Sequence, residues 1–183
     1  MLNPLWQFSI DFYQRPGVEK GCLAWQEQFG ADVNVLLFSL WCATTGSVLK
    51  EGDLRCLLAD PALCRWQRDV VVPLRAVRRA SQVGREHEGD QAHGADCEGL
   101  RDELYQMLLA SELQAEEVEQ QLLWHWARDN LRVENAGSPD QVVSVARQNL
   151  LSYGRVLSVA EPEGSLLRCF SDALRLGWGA HPG

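Results

Sequence analysis

The chain has no CxxC pair, no apolar run long enough to cross a bilayer, no sustained two-residue alternation, and none of the GxSxG, HExxH, GxGxxG or P-loop spacings. The missing cysteine pairs remove the usual zinc and thioredoxin-like sites, and the missing alternation removes half-buried strands. The missing motifs remove the hydrolase, metalloprotease and nucleotide-binding signatures that a single sequence can carry. An excess of positive charge is also absent. The formal charge is -8, without the cationic footprint that phosphate backbones require, so no nucleic-acid partner is expected. The first residues, MLNPLWQFSIDFYQRPG, carry no cationic start, apolar core or small-residue cleavage site of an export signal, so a cytoplasmic protein is expected. In that compartment Cys22, Cys42, Cys56, Cys64, Cys97 and Cys169 stay reduced, most of them as small core residues.

What is present is helical. At 183 residues, 46% of them apolar and 23% charged, the chain can form one domain without staples. The stretch Asp32 to Ala43, DVNVLLFSLWCA, has only Asn34 and Ser39 as polar side chains after its first residue. A helix hydrophobic on every side must be buried on every side. At about 1.5 Å per residue it spans roughly half of a ~30 Å hydrocarbon core, so it belongs inside a helical domain and not in a membrane. Asp32 is placed to cap it.

Around this centre the chain divides into further helices. Asn3-Pro4 is a start signal, Pro16 suits the first position of a second helix, and Gly30 ends that helix. Gly21 inside it marks either a close approach by another helix or a tolerated glycine. From Pro61 to about Val83 the residues Leu63, Trp66, Val70, Leu74, Val77 and Ser81 form a stripe, with Pro73 expected to kink or divide the helix at Val72. From Asp96 to about Asn130 a second stripe runs through Leu100, Leu104, Met107, Ser111, Ala115, Val118, Leu122 and Trp126. Gly84 to Ala95, polar and rich in glycine, is expected to be a flexible connector, which makes the two stripes a long antiparallel hairpin. Ser138-Pro139 opens another helix, and residues 179–183 are expected to be a loose tail. The fold expected is all-α: a single-domain bundle of six to seven helices around the buried central one.

The runs LWQFSIDFYQRPGVEKGCLAWQEQFGADVNVLLFSLW and WQRDVVVPLRAVRR, containing FYQRPGVE, DVNVLLFSLW and VVPLRAVRR in order, resemble a proteobacterial family catalogued as domain of unknown function 2390. The resemblance covers Leu5 to Leu123 and implies a compact bacterial cytoplasmic protein. It brings no activity, cofactor or catalytic residue with it.

Two constellations are candidate sites. Asp32, Asn34 and Trp41 of the central helix can line a polar pocket, with Arg75, Arg78 and Arg79 as anion-binding groups. Against this, a buried Asn more often bonds a backbone group, and the arginines can pair with the acidic long helix, which carries Glu98, Asp102, Glu103, Glu112, Glu116, Glu117 and Glu119, as pairs of little energy if exposed. Glu116, Trp124 and Trp126 are the candidate protein-contact residues on the long helix. His87, His93 and Cys97 match no zinc spacing, so neither metal nor cofactor is expected. The expectation is a non-enzymatic, cytoplasmic interaction or regulatory protein whose partner is another protein. The alternative is a small-molecule binder or enzyme with a polar pocket beside the central helix.

Overall fold

A computed structural model describes residues 3–86, 95–132, 137–159 and 164–178, and all regular structure among them is helical. The elements are α1 (Pro4–Tyr13), α2 (Val18–Phe29), α3 (Val33–Thr44), α4 (Glu51–Leu58), α5 (Pro61–Trp66), a π-helical turn (Gln67–Val71), α6 (Val72–Glu86), α7 (Ala95–Asn130), α8 (Pro139–Val156) and α9 (Gly164–Trp178). These nine α-helices among the described residues exceed the six to seven expected, because α4 stands alone and the run from Pro61 is divided before Pro73. Of the expected connector, Gly84 to Glu86 extend α6 and Ala95 begins α7; residues 87–94 and the tail at 179–183 lie outside the described residues.

The chain forms two compact units, one of residues 1–60 and 120–183, the other of residues 61–119. In the first, α3 is the centre. Every residue from Asn34 to Leu40, and Cys42 and Ala43, is buried, and α1, α2 and α8 pack on it. Asp32 caps its start, the carboxylate accepting from the N–H groups of Asn34 at 2.8 Å and Val35 at 3.4 Å. Inside the helix, the Ser39 hydroxyl donates to the Val35 carbonyl at 2.8 Å, which satisfies a hydroxyl that has no water to bond.

Helix α1 is capped by Asn3, whose side chain accepts from Leu5 N–H at 3.0 Å and Trp6 N–H at 3.4 Å, with Pro4 in the first position. Helix α2 starts at Val18, two residues past Pro16, and ends before Gly30. Gly17 is its N-cap at φ 83°, a left-handed conformation that suits glycine, and the proline lies in the turn before it. Gly21 marks a close approach. A β-carbon there would come within 2.7 Å of Cys169 Sγ and 3.0 Å of the Phe170 ring, both on α9, so any side chain would require the thiol and the ring to give way. Cys22 and Cys42 are core thiols, and burial pushes Cys22 up to about 12, with Cys169 and Glu19 adding to the shift. Cys56 and Cys64 are exposed, contrary to a core role.

The turn after α3 and the face of α8 are joined by one side chain, Asn149, which is fully buried. Its carbonyl oxygen accepts from Leu49 N–H at 2.7 Å, while its amide nitrogen donates to the carbonyls of Ser39 at 3.0 Å and Ser47 at 3.1 Å. The Leu49 N–H and the Ser47 carbonyl lie in the turn, outside any helix ladder and away from water, so removing the amide takes their side-chain partner from both. Asn149→Leu is expected to lower stability by about 3 kcal/mol or more, at the upper end of the cost of an unpaired buried polar group. Urea denaturation followed by far-UV circular dichroism measures it, and a loss below 1 kcal/mol would mean that the clamp is not structural.

Candidate functional site

The second unit is organised by Pro73. Proline has no N–H, and its ring presses on the carbonyl four residues earlier, that of Asp69. The backbone widens just before it into the π-helical turn, where the Val72 N–H reaches back five residues to the Gln67 carbonyl. A π turn inserts one residue, so everything beyond it is rotated by about 100° relative to an unbroken α-helix. The consequence is a change of seam. Val77, which the stripe from Leu63 and Trp66 would bury, is 53% exposed, and Arg75 and Arg78 face α7 in its place.

On α7 they meet carboxylates. Arg75 donates to Glu112 at 3.1 Å and to Glu116 at 2.7 Å, and Arg78 donates to the other oxygen of Glu112 and bonds Tyr105. Two further bonds continue the seam. The Trp66 indole N–H donates to the Ala115 carbonyl at 2.8 Å, and the Gln67 amide donates to Glu119, whose side chain is fully buried. Burial works to raise the Glu112 carboxyl, but the hydrogen bonds and charges of Arg78 and Arg75 outweigh it and hold it below its ordinary value. Of the arginines named as anion-binding candidates, Arg75 and Arg78 are thus engaged by carboxylates, and Arg79 is exposed. Because the Arg75 and Arg78 side chains are only 19% and 18% exposed, the condition for low-energy pairs, exposure, is not met.

With Glu112, Ala115 and Glu119 turned inward, the stripe read from α7 loses Ala115 to the seam, and its other members from Leu100 to Val118 turn outward. Leu100 is 65% exposed, Leu104 46%, Met107 61% and Val118 41%, and Ser111 between them is exposed too. They recur at alternating spacings of four and three residues along one face, with Gln114 completing the line. Glu103 and Glu117, both exposed, flank that face at equivalent positions of the repeat.

The other candidates lie in the first unit. Asp32 is engaged as the α3 cap, and its own N–H donates to the Tyr153 hydroxyl at 2.8 Å. Tyr153 in turn stacks on Trp25, with ring centroids 6.3 Å apart. Asn34 accepts from the Gln120 amide at 2.8 Å, and Gln120, 1% exposed, leaves its carbonyl oxygen without a partner. Trp41 is half-buried against Phe38. Trp126 sits edge-on to Phe38, and Trp124 is covered by Arg128, whose guanidinium lies 4.9 Å from the ring centroid. Glu116 is held by Arg75.

Two clefts open on the first unit. One of about 440 Å³ lies between Lys50 to Gly52 and Gln148, Ser152 and Arg155; the other, of about 290 Å³, lies between Gly46, Val48, Gln141 and Val145. Neither is lined by any of the candidate site residues. Among the described residues no group of three His, Cys, Asp or Glu side chains can hold a metal ion, and no helix is long and apolar enough to cross a membrane. His87 and His93 lie outside the described residues, as does the side chain of Cys97.

Sequence reasoning missed Asn149, Gln120 and the outward turn of the α7 stripe. Asn149 did have a signal, standing in line with Val142, Ala146 and Tyr153 on an otherwise apolar face. The turn of the stripe had only Pro73.

These features define an all-helical protein with a polar inter-helix seam and an exposed apolar face. The chain belongs to the family described as protein of unknown function (DUF2390), whose family model matches residues 4–123. No curated protein and no solved structure matches it.

Two measurements probe these sites. A carboxylate held below its ordinary value stabilises the fold above that value, and the contribution disappears as pH falls through the lower, folded-state value. Stability against urea should therefore fall as pH drops below the ordinary 4.5 of Glu112, and Glu112→Gln should flatten that limb while lowering stability at pH 7. An unchanged acid limb in Glu112→Gln would remove Glu112 from the cause. For the first unit, Asn34→Leu leaves the Gln120 amide without this acceptor and is expected to cost about 1–3 kcal/mol. Asn34→Leu with Gln120→Leu should recover part of that loss in a double-mutant cycle, and additive losses would show that the two amides are not coupled.

Proposed function

We propose that this is a cytoplasmic, non-enzymatic interaction or regulatory protein that binds another protein through α7, with α6 and α7 acting as an antiparallel hairpin that holds the contact face. The exposed line Leu100, Leu104, Met107 and Val118 carries this reading. Side chains of that size and exposure leave roughly 300–400 Å² of apolar surface along ~27 Å of helix, in the range where exposed apolar patches mark contact sites. Trp124 and Trp126, covered by Arg128 and packed on Phe38, support it less than the leucines do. The opposed order of the seam bonds, Trp66 to Ala115 but Arg78 to Glu112, supports the hairpin.

The small-molecule reading keeps one specific support, the unfilled acceptor of Gln120 beside Asn34. Replacement of Leu104 and Met107 by Gln separates the two readings, since both side chains are at the surface and folding should be unaffected. In a host whose own gene is deleted, the variant is expected to fail to restore the deletion phenotype while keeping the wild-type melting temperature. Full restoration would sink the contact-face reading and leave the Asn34 site in front.

A further inference from the structure

We infer that the exposed face of α7 is a docking site for a basic amphipathic helix of another protein, a proposal that rests on the contact-face reading and adds the chemistry of the partner. The line Leu100, Leu104, Met107, Ser111, Gln114 and Val118 repeats as the core positions of a heptad pattern, the form of surface into which the apolar stripe of a second helix interleaves. Inside the second unit α7 already has its neighbours, and they lie on a different face: Glu112, Ala115, Glu116 and Glu119 point to the seam, where Trp66, Gln67, Arg75 and Arg78 occupy them. The heptad line is left unpartnered by that arrangement, with Met107 and Leu100 more than half exposed.

Charge decides what covers it. Between Glu98 and Glu119 the helix carries seven carboxylates and one cation, Arg101. The inward carboxylates are bonded within the seam. Glu103 and Glu117 stand at the margin of the apolar line, fourteen residues apart and thus at the same position of the repeat. In a helix pair the marginal positions set partner choice through ion pairs, so lysines or arginines at the margin of the incoming helix complement this edge. A second copy of this chain does the opposite. Laid antiparallel so that Leu100 meets Val118, it sets Glu103 near Glu117 of the copy on both sides of the two-fold axis, and like charges there disfavour the pair.

The test uses the full chain and two synthetic amphipathic peptides of about three heptads, identical at their leucine core positions, one with lysine and one with glutamate at the margins. Fluorescence anisotropy of the labelled peptides reads the binding. The lysine peptide is expected to bind at least tenfold more tightly than the glutamate peptide, and added salt should narrow the difference. Leu104→Gln with Met107→Gln should weaken the lysine peptide tenfold or more. Glu103→Lys with Glu117→Lys, changes confined to exposed side chains, should reverse the preference between the peptides. Equal binding of both peptides, binding of neither, or lysine-peptide binding that survives the Leu104 and Met107 changes would overturn the proposal. So would sedimentation showing a dimer that Met107→Gln dissociates, because the face would then belong to a second copy. If the peptides fail while the Leu104 and Met107 variant still loses function in the host, the basic-helix proposal falls and the contact face stands. If that variant keeps its function, both fall.

Discussion

The first unit depends on a helix that has no polar side to give to water. With nine of the twelve residues of α3 buried, its neighbours have to supply apolar surface in every direction, and the backbone at its ends has to be satisfied without solvent. Asp32 does this at the start. Past the far end Thr45 and Ser47 bond back to the last turn, and Asn149 reaches from α8 to the Ser39 carbonyl within α3 and to the turn at Ser47 and Leu49, so one amide fixes where α8 lies along α3. Apolar burial supplies the driving force but is indifferent to small slides of one helix along another. A three-bond clamp is not.

How much of this was legible depends on the range of the cause. The all-round burial of α3, the Asp32 and Asn3 caps and the Ser138-Pro139 start follow from residues within one or two turns, and they stand where the sequence placed them. Pro16 shows the limit of such signals. A proline suits the first turn of a helix, but the adjoining Gly17 is free to adopt a left-handed cap, and the helix begins after it. Asn149 is different again: its place on the apolar face of α8 marks it as buried, but its partners lie about a hundred residues away and nothing local names them.

The second unit shows how one local defect changes a long-range outcome. Pro73 was legible as a break. Its result, a one-residue insertion by the π turn, was not, since a kink, a division and a widened turn all relieve the same missing N–H. The difference matters because periodicity counts residues and packing counts angles. After an inserted residue, the positions that share a face in the sequence no longer share one in space, so Val77 leaves the seam and Arg75 and Arg78 enter it. Arg75 and Arg78 are thus seam groups, while Arg79 and the stripe expected to be seam, from Leu100 to Val118 with Ala115 excepted, are surface.

That exchange bears on why a contact face can persist on α7. A seam of arginine, glutamate, glutamine and tryptophan bonds gains little from hydrophobic transfer, since desolvating the charges offsets most of their attraction. What it supplies is geometry, because each bond fixes one rotation and one height of α5 or α6 against α7. An apolar seam would compete with the heptad line for the same interior and could rotate α7 to bury it. Polar bonds with fixed partners cannot slip by a residue without leaving buried charges unpaired, a cost of several kcal/mol. The charged seam therefore holds Leu100, Leu104 and Met107 outward against their own tendency to be buried, and leaves that burial to be gained by binding.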